Sequence, residues 1–242
     1  MTTPNLPKNA SGVAWAGPES DAYTTAGLIH CAYLPETASV DAPVPAIVMV
    51  HGWGGNEGVM WIFKQVLPPN VAIITPRAPV ELEDGGYAWF RFDEGTKTIE
   101  QPLFEASLDR LEQFLTTLPS LYPIDPQQKY LIGFSQGAAM INSLVLTKSG
   151  FAQGVASLAG FIPKVPASIP IPAPGHTLPD LPVFVAHGID DDVIPVHSAQ
   201  RTRDQYESIG ATVTYGEYKT RHKMNPQSMR DLEAWLAQQV EA

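Results

Sequence analysis

The chain has 242 residues, a hydrophobic content of 44% and a formal net charge of −10. That size and composition suit a single α/β domain spanning residues 1–242, and no internal repeat interrupts it. An acidic chain without a clustered Lys/Arg face argues against a nucleic-acid partner.

Cys31 is the only cysteine, so no internal disulfide forms and a reducing compartment fits. The N-terminus lacks the basic start and apolar core of a secretory signal. The longest apolar run, around Ala42 to Val50, is far below the ~18 residues a membrane span needs. A cytoplasmic location without stable membrane insertion is expected, as a monomer or homodimer.

In chain order, residues 11–36 are expected to supply one or two antiparallel edge strands. Five nearly continuous apolar runs follow, at 45–51, 71–77, 129–135, 155–162 and 182–188, with a sixth strand at 211–219. Such runs are what strands buried on both faces require. Trp61 and Phe63 read as core residues inside a helix. Leu103, Leu108, Leu111, Phe114, Leu115 and Leu118 recur at helical spacing behind Pro102. The segment 137–148 is apolar all round and predicts a buried helix. A more polar helix over 197–209 is stopped by Gly210. The last helix starts with Asn225 as cap and Pro226 as first residue. Alternating strands and helices imply an α/β fold with a mostly parallel central sheet and helices on both faces. Two long segments fit no regular element: 79–101, a hypothetical lid with four aromatics, and the proline-rich 163–182.

The sequence GFSQG at 133–137 matches G-x-S-x-G, after a strand and before a helix, which is the context that motif requires. A serine on so sharp a turn is held out at the carboxyl edge of the sheet, where open α/β sheets bind ligands. A plain helix cap is the alternative reading of Ser135. As a nucleophile it needs a base and a group orienting that base, in the chain order Ser, acid, His. The acid falls in Asp190-Asp191-Asp192 after the fifth apolar strand, and spacing leaves the three open. Of six histidines, only His222 lies between the last strand and the last helix. The developing oxyanion needs two N–H donors, one from Gln136 and one from the glycine-rich loop 51–57, where Trp53 is the candidate.

Together these pieces resemble the phospholipase/carboxylesterase family of α/β hydrolases, which includes acyl-protein thioesterases. The matches are HGWGGNE at 51–57, PRAPV at 76–80, GGYAWF at 85–90, GFSQGAAM at 133–140, LAGFIP at 158–163, HGIDDDVIP at 187–195 and HKMNPQSMRDLEAWL at 222–236. The resemblance implies Asp191 as the acid, His222 as the base, and Trp53 and Gln136 as oxyanion donors. Arg221 departs from the glycine common before the family's catalytic His, which raises either a different local loop or a preference for anionic substrates. The proline-rich loop is also longer than the family leads one to expect.

A serine carboxylesterase acting on short- to medium-chain esters is the resulting expectation, with a small-molecule ester as partner and neither metal nor organic cofactor. Tyr87, Trp89 and Phe90, with Trp53, are candidates to line the acyl pocket. The rivals are an acyl-protein or acyl-CoA thioesterase or lysophospholipase, and a non-catalytic binding protein on the same fold.

Overall fold

The computed structural model describes residues 12–240 except 94, 96–97 and 165–169, so part of the proline-rich loop lies outside the described residues. The first strands are β1 (Ala14–Ala16) and β2 (His30–Tyr33), around the short helix α1 (Asp21–Ala26), and β1 pairs antiparallel with β2. Helix α1 went unread in the sequence. Ser20 caps it, its hydroxyl accepting from the Tyr23 N–H, and Gly27 closes it in the left-handed conformation.

The six expected strands are β3 (Val44–Val50), β4 (Ala72–Pro76), β7 (Ile124–Phe134), β8 (Gly154–Leu158), β9 (Pro182–Gly188) and β10 (Thr212–Tyr218). Between β4 and β7 a small ribbon forms from β5 (Val80–Glu81) and β6 (Tyr87–Ala88). The main sheet runs β1-β2-β4-β3-β7-β8-β9-β10; β2 is antiparallel to β4, and β4 through β10 are parallel.

Strand side chains alternate between two cores, as a period of two demands. In β3, Ala46, Val48 and Val50 face one core, while Ile47 and Met49 face the other. The first core is covered by α2 (Gln101–Leu121), α3 (Gln136–Thr147) and α4 (His197–Ser208), through residues such as Phe114, Leu144 and Tyr206. The second is covered by a 3-10 helix (Val59–Val66) and α5 (Pro226–Val240), through Met60, Phe63, Leu232 and Trp235. Full burial of each such side chain contributes about 1.5–3 kcal/mol. Asn225 caps α5, its Oδ1 accepting from the Ser228 N–H at 2.9 Å.

The two irregular segments are tied to this frame. Trp89 and Phe90 are fully buried, and Phe92 pairs with Ile99 in an isolated bridge. In the described part of the proline-rich loop, His176 Nε2 lies 2.9 Å from the Val145 carbonyl, and Leu178 is buried in the first core. No helix among the described residues is long and apolar enough to cross a membrane.

Candidate active site

β7 ends at Phe134 and α3 begins at Gln136, so Ser135 alone makes the turn. Its backbone has φ 53° and ψ −115°, an unfavourable conformation for a residue with a Cβ. The flanking glycines make the turn sterically feasible. A Cβ on Gly133 would lie 2.6 Å from the Ala138 backbone, and one on Gly137 would lie 2.1 Å from the Val50 carbonyl oxygen. The Ser135 hydroxyl makes no cap hydrogen bond to α3, so the plain helix-cap reading fails.

That hydroxyl is instead 2.9 Å from His222 Nε2, and His222 Nδ1 is 2.7 Å from Asp191 Oδ2. The three side chains come from loops after β7, β9 and β10, brought to one edge of the sheet by the parallel order β7-β8-β9-β10. Asp191 Oδ1 accepts from the N–H groups of Val193 and Ile194, both at 2.9 Å. A buried carboxylate needs such partners, and here every one of them pulls it into the same orientation. The Phe134 ring packs against His222 with centroids 5.2 Å apart.

Of the three adjacent aspartates, Asp190 and Asp192 are exposed and only Asp191 is buried against His222. Arg221 pairs with Asp192 and holds that carboxyl below its ordinary range. It is 70% exposed at the side chain, lies outside the cavity lining, and does not have positive φ. The proposed role of Arg221 toward substrate is therefore corrected. Its guanidinium has a partner on the surface, and its backbone adopts an ordinary conformation without glycine.

A cavity of about 1210 Å³ opens at Ser135, with Trp53, Gln136 and His222 in its wall. Gln136 is the first residue of α3, so its N–H has no intrahelical acceptor. The N–H of Trp53 meets no acceptor among the described residues. Both residues line the same cavity as the Ser135 hydroxyl.

Tyr87, Trp89 and Phe90 do not line this cavity, which corrects their assignment to it. Trp89 donates its indole N–H to the His51 carbonyl at 2.9 Å. The Gln136 carboxamide accepts from the Trp89 N–H at 2.8 Å and donates to the Phe90 carbonyl at 2.7 Å. Thus Gln136 clips the aromatic segment down, and both rings go to the core. Tyr87 lies under Arg77, 4.5 Å from ring centroid to guanidinium, and accepts from Arg77 Nη1 at 3.2 Å. Arg77 in turn forks onto Glu57, with both N···O distances 2.6 Å.

Sequence reasoning missed the apolar lining that does exist. It comes from Ile62 and Val66 on the 3-10 helix, Met224 and Met229 near and on α5, and Phe92 and Phe161 on loops. Ile62 on the 3-10 helix is 67% exposed, in a segment whose sequence reads as core.

Three of the other histidines, His30, His51 and His187, are buried. His30 and His51 are fully buried, and burial pushes both down to about 4. Burial also lowers His187, which sits behind Asp191.

A model of the phospholipase/carboxylesterase family matches residues 36–240. An acyl-protein thioesterase 1 of Candida albicans is 29% identical over 219 residues, covering 81% of this chain and 92% of its own. The carboxylesterase SOBER1 of Arabidopsis thaliana is 24% identical over 213 residues, covering 80% of this chain and 90% of its own. Among solved structures, a carboxylesterase from Mesorhizobium loti shares the fold with a TM-score of 0.77, over 93% of this chain and 99% of its own, at 18% identity. With a family match across most of its length and an α/β hydrolase fold, the chain belongs to the phospholipase/carboxylesterase family, a family of hydrolases.

Proposed function

We propose that the protein is a serine carboxylesterase hydrolysing short- to medium-chain carboxylic esters. The observation that carries this reading is the unbroken relay of 2.9 Å and 2.7 Å contacts from the Ser135 hydroxyl through His222 to the Asp191 carboxylate.

In this mechanism His222 Nε2 takes the Ser135 proton as Oγ attacks the acyl carbonyl. Asp191 keeps the His222 proton on Nδ1 and stabilises the imidazolium that forms. The carbonyl oxygen gains negative charge in the tetrahedral intermediate and is met by the N–H groups of Trp53 and Gln136. Loss of one such donor typically costs ~3 kcal/mol of barrier lowering. Collapse expels the alkoxide, which takes the proton from His222 and leaves as the alcohol. Water, deprotonated by His222, then attacks the acyl-enzyme, and Ser135 recovers its proton as the acid departs. The strained backbone at Ser135 favours attack, since it fixes the hydroxyl in the one direction the relay needs.

The thioesterase reading uses the same steps with a thiol as leaving group, and is favoured by the relatives that bear that name. A panel of oxygen esters, acyl-CoAs and S-acylated peptides separates the two. The enzyme reading itself is tested with a fluorophosphonate probe and an activated butyrate ester. The wild type should be labelled and active. Ser135→Ala should lose the label and about 10³-fold or more of kcat. An unlabelled, inactive wild type would favour a non-catalytic binder.

A further inference from the structure

The loop 51–58 carries the Trp53 N–H and contains four glycines. Glycine leaves a backbone free to turn, so such a loop holds no peptide plane by itself. Yet it passes against the nucleophile: a Cβ on Gly52 would lie 3.2 Å from Ser135 Cβ. The Trp53 N–H shares one planar trans peptide with the Gly52 carbonyl, and the two point in opposite directions. Fixing that carbonyl therefore aims that N–H. Two donors fix it. His51 Nε2 accepts the Ala78 N–H at 3.0 Å, so the ring's proton sits on Nδ1, 2.7 Å from the Gly52 carbonyl. The Gly55 N–H reaches the same oxygen at 3.2 Å.

Gly55 is in turn held from outside the loop. Its carbonyl accepts the Tyr87 N–H, and the Gly54 N–H donates to the Tyr87 carbonyl, both at 2.9 Å. A Cβ on Gly86 would lie 2.5 Å from the Gly54 carbonyl oxygen, so the two backbones touch. Arg77, just after β4, joins this attachment to a second one. Its Nε and Nη2 fork onto the two oxygens of Glu57, each at 2.6 Å, and Nη1 donates to the Tyr87 hydroxyl at 3.2 Å. Glu57 also takes the Trp15 indole N–H at 3.0 Å, and its carbonyl accepts the buried Thr75 hydroxyl at 2.6 Å. The pair is largely withdrawn from water, with the Arg77 and Glu57 side chains 21% and 11% exposed. Charges so placed are tolerated together; with one removed, the other is driven toward water. Neither Glu57, Arg77 nor Tyr87 lines the cavity at Ser135.

We propose that Arg77 and Glu57 are positioning residues for ester hydrolysis: acting through Tyr87 and Gly55, their ion pair holds the Gly52–Trp53 peptide in the plane that turns its N–H to the oxyanion. This rests on the serine-esterase reading given above, with Trp53 as an oxyanion donor. Such a donor acts on charge that develops only in the transition state, so a misaimed one lowers kcat and leaves KM. A displacement of about 1 Å, caused far from the chemistry, costs up to about 10²-fold in rate.

The test uses the full chain, an activated butyrate ester, and a butyl trifluoromethyl ketone as inhibitor. Ser135 Oγ adds to the ketone carbon, its proton passes to His222, and the ketone oxygen becomes a tetrahedral oxyanion. Arg77→Met should lower kcat about tenfold, keep KM within twofold, and raise the ketone's Ki about tenfold. Arg77→Lys, which keeps a cation on Glu57 but not the fork, should recover most of both. Gly86→Ala wedges β6 from the loop without touching a charge, and should reproduce the fall in kcat and the rise in Ki even if Arg77→Met does not fold. Lys148→Ala, which breaks an exposed ion pair elsewhere, should leave all three constants within twofold. Wild-type kcat and Ki in folded Arg77→Met would overturn the inference, whatever Gly86→Ala does. So would wild-type values in Gly86→Ala, or a loss confined to KM. In each of these cases fluorophosphonate labelling and hydrolysis by the wild type leave the esterase reading standing. A wild type that is neither labelled nor active would take down both.

Discussion

His187 Nε2 lies 3.2 Å from Asp191 Oδ2, the same carboxylate oxygen that takes the Nδ1–H of His222. The nitrogen is also 2.8 Å from the Ile194 carbonyl, so it must carry a proton. His187 Nδ1 is buried without a partner, and burial pushes the ring's pKa down, so this imidazole is neutral. Its one Nε2–H is bonded to the Ile194 carbonyl, and the dipole of this neutral ring lies against the carboxylate oxygen that serves His222. Without that dipole, the carboxylate should hold the imidazolium at 222 more firmly. His187→Leu is expected to move the acid limb of kcat/KM upward by about 0.5 pH unit, roughly 0.7 kcal/mol of altered interaction with the imidazolium. His187→Gln, whose Nε2 can reach the same oxygen, should restore the wild-type limb. A pH–rate profile unmoved in folded His187→Leu would reduce the residue to packing.

Asp191 receives three hydrogen bonds on two oxygens, from Val193, Ile194 and His222. An asparagine cannot reproduce this set. If its oxygen stays on the two backbone donors, its NH2 group faces the His222 Nδ1–H and drives the ring to the wrong tautomer. If it flips, the loop donors are left unmet. Asp191→Asn should lose about 10³–10⁴-fold in kcat with KM little changed, as measured by steady-state hydrolysis of a butyrate ester. A loss below about tenfold would mean that orientation of His222 does not depend on the carboxylate.

The parallel sheet and the Ser135–His222–Asp191 relay were legible because each rests on local rules. Apolar runs of strand length reported burial on both faces, and Gly133 and Gly137 flanked the one serine at a strand-to-helix junction. What spacing left open among Asp190, Asp191 and Asp192 was decided by which one turns inward, a property of the tertiary fold. Tyr87, Trp89 and Phe90 misled because aromatic content does not say where a ring points. Two of them are pulled into the core by a glutamine 46 to 47 residues away, a contact that no local pattern carries. Conversely, the cavity wall from Ile62 and Val66 was hidden inside a segment that reads as core. A 3-10 turn aims side chains differently from an α-helix and leaves Ile62 outside.

That glutamine can be isolated from its backbone role. Gln136→Ala keeps the main-chain N–H but orphans the Trp89 N–H and the Phe90 carbonyl, both buried. Each orphan costs about 1–3 kcal/mol, so urea unfolding should show a loss of about 2–6 kcal/mol. A loss under about 0.5 kcal/mol would indicate that water or repacking satisfies both groups.

Arg221 offers the opposite kind of test. Its guanidinium lies in solvent on Asp192 and away from the cavity wall. Solvent screens surface pairs of this sort, which add little to stability. Arg221→Ala should leave the preference between a neutral ester and its ω-carboxylate analogue within about twofold of wild type, with little change in stability. A larger selectivity change in steady-state competition would return Arg221 to the substrate site.

Acid sensitivity of the fold should trace to two buried rings. His30 is held between the Leu28 carbonyl at 2.7 Å and the Tyr122 hydroxyl at 2.6 Å, and His51 accepts the Ala78 N–H at 3.0 Å. Burial lowers both from 6.5 to about 4. Between those values the unfolded chain binds a proton at each ring and the folded chain does not. Stability is therefore fully present above about pH 6.5 and is lost as pH falls toward about 4, at up to roughly 1.4 kcal/mol per pH unit for each ring. His187 adds to the loss in the same direction. Urea unfolding at pH 7 and pH 5 measures the slope. His30→Gln should be less stable at pH 7 yet show a slope smaller by about one proton's worth. An unchanged slope would mean that His30 is protonated equally in the folded and unfolded chains, and that its cavity between Phe114 and Tyr122 admits the charged ring.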